Sequence, residues 1–487
     1  MRYLILSLIA ASCLNSLSQN QGNIWYFGDY AGVDFNSGYP VAITDGQFTN
    51  PPPQNHLEGT SVISDSSGNL LFYTDGLQVW NKNHQVMPNG NGLMGHASST
   101  QSAIIVPAPE DPDRFFYIFT VGVAAAENVG DGLRFSKVDL CLDNGKGDII
   151  DTDKNILLMD SVPERLAVTR HANGNDYWIM VHKHDSNEFW AYQLSAAGIV
   201  DTVVTAIGTI HNVNIASSTG QMKFSPNGAR LAIGTNNVLE ILDVFDFDKS
   251  TGIVSNHLDL YLPNADHANI YGIEFSPDNT KLYANGHSTT GALYSMFVQY
   301  DLTAGSLSDI NNSMYIIYED FVGQLGHNGL QLGPDNKIYL VSINDPGYLS
   351  VIANPNLSGA ACDYTDLGVY LGGKEGFWTL PSIIANYDYS NTIEKCGSNS
   401  SISENDSVSM CKIFPNPAIN NVTLEFSTPT SAEVSIKNSL GSEVQSMSLI
   451  DAYTLELDLS HFVAGYYFIE LNFTSNNSRQ VVNFCKL

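Results

Sequence analysis

Basic residues are scarce: 21 Lys and Arg stand against 50 Asp and Glu in 487 residues, a formal charge of −29. Such a chain lacks the positive stripe that nucleic-acid recognition needs, and anionic membrane surfaces repel it. Nucleic acid is therefore excluded as a partner. Charge of either sign is sparse at 15%, whereas 43% of residues are hydrophobic and Tyr and Phe number 24 and 22. That balance is too apolar and aromatic for a disordered chain and predicts a folded, acidic protein. Past residue 18 no segment approaches the roughly 18–20 apolar residues of a membrane helix, so no membrane span is predicted. Cys-x-x-Cys and clustered Cys/His pairs are missing, which removes a zinc framework. So are the nucleophile elbow, the phosphate loop and His-Glu-x-x-His. No motif requires a cofactor or a metal, and no spacing among the many carboxylates selects a catalytic pair.

Residues 1–18 read as a secretory signal, with Arg2 as the positive start, an apolar run from Tyr3 to Leu14, and Ser16-Leu17-Ser18 before the cut. Its removal leaves Cys141, Cys362, Cys396, Cys411 and Cys485, an odd count that allows at most two bridges. Pairings of Cys362 with Cys396 and of Cys411 with Cys485 keep each bridge within one predicted domain.

What is present is a repeat. Phe224-Ser225-Pro226-Asn227-Gly228-Ala229-Arg230-Leu231 is matched by Phe275-Ser276-Pro277-Asp278-Asn279-Thr280-Lys281-Leu282, and more loosely by Leu332 to Tyr339. Each copy is a short strand, a Pro-Asn/Asp-Gly/Asn turn and a second strand. Weaker copies begin near Ile63, Val106 and Val168, and the equivalent positions Leu70, Phe115, Tyr177, Leu231, Leu282 and Ile338 recur every 45 to 62 residues. Four short strands per unit without a convincing amphipathic helix describe the blades of a β-propeller. A seventh blade is split: Phe377 to Tyr387 resembles an innermost strand, and Ile24–Phe27, Gly32–Phe35 and Pro40–Ile43 supply the rest. The prediction is an all-β chain, a seven-bladed β-propeller over 19–395 closed by its N- and C-terminal strands. A Ser/Asn-rich linker spans 396–410, and a small immunoglobulin-like β-sandwich occupies 411–487.

The last segment carries a family resemblance. Phe414-Pro415-Asn416-Pro417 ahead of the first long strand, Ser439-Leu440-Gly441, Leu457-Asp458-Leu459-Ser460, Gly465-Tyr466-Tyr467 and a final strand ending at Lys486 resemble the type A C-terminal sorting domain of the type IX (Por) secretion system of Bacteroidetes. The resemblance implies the type IX machinery as partner and a secreted or outer-surface location after removal of the signal peptide. The region ahead of it is similar to extracellular bacterial propellers that accompany such tails, a likeness that implies no activity.

In a propeller, the loops leading into the innermost strands converge at one mouth of the channel. Here they contribute Glu58, His96, Gln101, Glu164 with Arg165, Gln221, His267, Tyr271, His327 with Asn328, and Trp378. This polar, aromatic, His-bearing set points to a ligand site for a glycan or protein at the cell surface. His182-Lys183-His184 puts two imidazoles on one face of a strand and reads as an outward-facing pair. The function predicted is a secreted or cell-surface binding or adhesion module, more an interaction protein than an enzyme. The alternative is an extracellular polysaccharide hydrolase or lyase working at the same mouth.

Overall fold

The computed structural model describes residues 20–49, 58–123, 132–211, 218–235, 242–262, 268–288, 294–320, 329–342, 344–385, 411–416, 418–438, 442–473 and 479–486. The chain is nearly all β and divides into two compact units, Met1–Gly397 and Ser398–Leu487. The predicted signal and linker lie outside the described residues.

In the first unit, seven antiparallel sheets follow one another along the chain, each with neighbours in sequence order except the third, where Ile156–Met159 pairs back with Leu133–Asp139. The fifth shows the plan: Met222–Phe224, Arg230–Gly234, Leu242–Asp248 and Ile253–Leu260. The second begins at Ser61–Ser64, the third at Ala103–Pro107, the fourth at Ala167–Arg170, the sixth at Ala268–Phe275 and the seventh at Leu330–Leu332. Opening strands of successive sheets pack side by side. Apolar side chains fill the spaces between sheets; one such layer joins Leu242, Val244, Ile273, Phe275, Leu282 and Val298.

Local turn chemistry explains the repeat. Ser225 N–H bonds the Arg230 carbonyl and Ser276 N–H that of Lys281, closing hairpins in which Phe224 faces Leu231 and Phe275 faces Leu282. The bend places Gly228, Asn279 and Asn336 at positive φ (69°, 65° and 62°), a conformation that Gly adopts freely and Asn tolerates. Pro226, Pro277 and Pro334 precede it with φ already fixed.

Among the described residues the first sheet has three strands, Ile24–Phe27, Ala31–Asp34 and Val41–Ile43. The fourth strand predicted at Phe377 to Tyr387 is corrected: the described part, Phe377 to Ala385, is not a strand of this sheet, and 386–387 lie outside the described residues. The two ends do meet, since Asp29 bridges Glu375 with N–H to carbonyl at 2.8 Å and Leu380 packs with Trp25 and Phe27. Beyond Glu375 the backbone bonds go elsewhere. The Trp378 carbonyl accepts from Gly329 N–H just ahead of the seventh sheet, Ser382 N–H reaches the Thr60 carbonyl just ahead of the second, and Ala385 N–H reaches that of Val168 in the fourth. Pro381, which has no N–H, breaks any regular ladder at this point.

Cys362 is a free, buried thiol packed with Tyr283, Phe297 and Leu330, so the bridge predicted to Cys396 is also corrected. Burial there raises the pKa of its thiol, opposed in part by a hydrogen bond with Tyr283. Cys141, left over in the predicted pairing, is disulfide-bonded.

The second unit joins Cys411–Phe414, Asn421–Asn438, Glu443–Asp458, Gly465–Phe473 and Arg479–Lys486 in one antiparallel hydrogen-bonded network. The predicted strands at 422–426 and 432–436 form one long strand. Its first half pairs with Cys411–Phe414 and its second half with Gly465–Phe473. Alternate residues, among them Val422, Leu424, Val434, Ile436, Ile469 and Leu471, form its buried core.

Candidate functional site

A cavity of about 260 Å³ lies among the opening strands of the third to seventh sheets, and the crossing segment Ser382–Ala385 forms one of its walls. Its apolar lining includes Leu166, Met222, Phe224 and Ile384. It reaches the outside between the hairpin turns, where Pro226, Pro277 and Pro334 are half-buried and Asn336 is exposed.

The polar groups along it are mostly committed to each other. Lys223 Nζ donates to Glu274 Oε2 at 2.7 Å, to Gln331 Oε1 at 2.9 Å and to the Leu330 carbonyl. Burial lowers the Lys223 pKa, and the Glu274 carboxylate opposes that shift. Glu274 Oε2 also accepts from Leu332 N–H and Oε1 from Phe275 N–H. The pair thus closes as a neutral unit that ties the fifth, sixth and seventh sheets together.

At the inner end, two glutamines stitch strands across the centre. Gln101 Oε1 accepts from Met222 N–H at 2.8 Å while its Nε2 donates to the Met222 carbonyl. Gln221 Oε1 accepts from Ile273 N–H and from Leu330 N–H, both at 3.1 Å. Beyond them the Tyr271 hydroxyl donates to Glu58 Oε2, joining the sixth and second sheets, and Ser98 Oγ donates to the other carboxylate oxygen. Burial pushes Glu58 up to about 7, against the hydrogen bonds from Tyr271, Ser98 and Thr100. Trp378 stands beside Tyr271, with ring centroids 6.5 Å apart.

The residues predicted for the mouth therefore divide into three sets. Glu58, Gln101, Glu164, Arg165, Gln221 and Tyr271 are all buried. Arg165 Nη1 donates to the Gly234 carbonyl, and burial lowers its pKa to about 9 against the attraction of Glu164. His96 is exposed and Trp378 half-buried. His267, His327 and Asn328 lie outside the described residues.

His182 is not outward-facing. It is fully buried and stacks on His211 at 4.0 Å, while His184 is only partly buried. Among the described residues no group of three His, Cys, Asp or Glu is placed to hold a metal ion.

Sequence reasoning missed Lys223, Glu274, Gln331 and Ser382 as cavity residues. The first three sit on opening strands just past the loops it considered, and an inward side chain there was signalled only by strand alternation.

Residues 412–483 match the family of secretion system C-terminal sorting domains. Of the sorting-motif residues, Phe414, Pro415, Asn416, Gly465, Tyr467 and Lys486 fall among the described ones, Tyr466 does so for its backbone, and Pro417 and Gly441 do not. No curated protein matches the chain. Among solved structures it is similar to PorZ, described as an essential bacterial surface component of the type-IX secretion system of Porphyromonas gingivalis. Identity is 12%, coverage 96% of this chain and 59% of that one, and the TM-score 0.33. It thus spans about 59% of that protein's length. It is also similar to Kuenenia stuttgartiensis hydrazine synthase, at 12% identity, 71% and 99% coverage and a TM-score of 0.41. Pseudomonas aeruginosa periplasmic gluconolactonase matches at 12% identity, 73% and 98% coverage and a TM-score of 0.39. Likenesses this distant bring neither ligand nor reaction to this chain. The tail, by contrast, indicates export by the type IX secretion system.

Proposed function

We propose that the chain is an exported binding module, a seven-bladed propeller that takes a small ligand in its central cavity and is carried across the outer membrane by its tail. The tail is read as an immunoglobulin-like sandwich of type A from a member of the Bacteroidetes, following the motifs from Phe414 to Lys486. Residues 1–18 are its signal peptide, and the product acts outside the cell or at its surface.

One observation carries the binding reading. The central cavity combines apolar walls with convergent polar groups, and those polar groups form a charge-neutral set with no pair arranged as nucleophile and base. At about 260 Å³ it falls just below the roughly 300–1,000 Å³ of pockets for drug-sized ligands, which suits a small sugar or one side chain of a partner. A glycan and peptide array on the purified protein, run beside a hydrolysis screen, tests it. Binding without turnover is expected; turnover without retained binding contradicts it.

A second reading, the polysaccharide hydrolase or lyase, is favoured by Glu58, whose carboxyl is held near 7 beside the Tyr271 hydroxyl. Loss of turnover in Glu58→Gln would select this reading.

A further inference from the structure

The three glutamines around the cavity share one feature. Gln101, Gln221 and Gln331 come from the third, fifth and seventh sheets, all are at least nine-tenths buried, and in each the side-chain oxygen already accepts a hydrogen bond. A primary amide has two N–H donors. Gln101 uses one on the Met222 carbonyl and Gln331 one on the Leu332 carbonyl, while Gln221 Nε2 finds no acceptor among the described residues. The protons of Lys223 are spent on Glu274, Gln331 and Leu330. The cavity therefore offers amide N–H groups in excess of acceptors, without uncompensated charge.

Gln221 lines the cavity, so a ligand that brings an acceptor to this open donor takes the place of a water it would otherwise bond. The net charge of −29 and the neutralised lysine disfavour an anion. What remains is a neutral carbonyl oxygen. Ser382 Oγ, on the crossing segment, makes no hydrogen bond among the described residues and is open to a ligand N–H. Leu332 and Ile383, both half-buried on the cavity wall, offer apolar surface for a methyl group. Carbonyl, N–H and methyl together make an acetamido group.

We infer that the cavity recognises the acetamido group of an N-acetylated sugar, with its carbonyl oxygen on Gln221 Nε2, its N–H on Ser382 Oγ and its hydroxyls toward Asn336 at the rim. This rests on the reading of the central cavity as the ligand site.

The test is calorimetric titration of the full chain with N-acetylglucosamine, glucose, glucosamine and acetate, repeated on Ser382→Ala and Ala385→Phe. Ala385 lines the cavity and is only partly buried, so phenylalanine there obstructs the space. N-acetylglucosamine is expected to bind at least about tenfold more tightly than the other three, to weaken about threefold or more in Ser382→Ala, and to be lost in Ala385→Phe. No saturable binding of N-acetylglucosamine, or acetate binding as well as it does, overturns the inference. If glucose binds equally and Ala385→Phe abolishes both, the cavity remains the site and the acetamido preference is wrong. If Ala385→Phe leaves N-acetylglucosamine binding unchanged, the cavity reading falls as well.

Discussion

The Tyr271 hydroxyl reaches across from the sixth sheet to the Glu58 carboxylate at the head of the second, linking residues 213 positions apart in the chain. Thr379 Oγ1 donates to the Glu58 carbonyl at 2.5 Å and Gly59 N–H to that of Ser99, so this crossing is fixed from both sides. The carboxyl at this crossing is buried, and its charge is costly there.

The first prediction follows from that cost. Glu58 rises from 4.5 to about 7 on folding, so between those values the folded state holds a proton that the unfolded chain has released. Its contribution to stability is therefore lost as pH rises from about 4.5 to about 7, by on the order of 3 kcal/mol at most. Thermal melts at pH 5 and pH 8 should show that Glu58→Gln, which stays neutral, loses less stability with rising pH than the natural protein. A Gln variant with the same pH dependence would remove Glu58 from the account.

The buried histidine pair has the opposite sign. Burial, reinforced by Arg165, lowers His182 to about 3, and burial with His182 and Arg165 lowers His211. Both stay neutral when folded, whereas the unfolded imidazoles protonate near 6.5, so stability falls as pH drops below that value. Each contributes a slope of about 1.4 kcal/mol per pH unit until its folded pKa is reached. Arg165, Glu164, His184 and Asp185 act on the same region, so the comparison is made within one variant series. His182→Phe, set against the Phe189 ring, is expected to show a shallower loss of melting temperature between pH 6.5 and pH 5; an unchanged slope contradicts it.

The fold was legible where its chemistry is local. The hairpin turns at Ser225 to Arg230 and Ser276 to Lys281 depend on Pro, Asn and Gly within one turn, so the residues alone announce them. The segment from Phe377 to Ala385 reads like a strand because it is apolar, yet its backbone partners, Gly329, Thr60 and Val168, are distant residues that no local pattern encodes. The mouth residues were legible only in part, for the same reason. The order of loops placed Gln101 and Gln221 near the centre, but only their bonds to Met222, Ile273 and Leu330 show that their oxygens are already occupied. Cys362 looked available for pairing because spacing carries no information on depth.

Closure of the first unit should depend on Gly28. Its φ is +57°, and a Cβ there would lie 2.2 Å from the Glu375 carbonyl oxygen and 2.8 Å from Gly376 Cα, both backbone atoms. Gly28→Ala should force the two ends apart at the Asp29–Glu375 bridge and cost about 2–4 kcal/mol, read as a lower denaturation midpoint. Gly38→Ala, also at positive φ but in open space, should cost about 1 kcal/mol. Equal losses in the two variants would show that the ends do not support each other.

Export is tested by deleting 411–487. The shortened chain should fold and remain in the periplasm of its native host, because the first unit has its own core. Its appearance outside the cell in normal amount would refute the routing assigned to the tail.

The most direct measurement is a crystal structure of the full chain with the sugar that binds in the titration. Density is expected in the central cavity between Gln221 and Ser382, with the Tyr271–Glu58 bond intact. Density on the outer surface of the sheets, with the cavity holding only water, would contradict it.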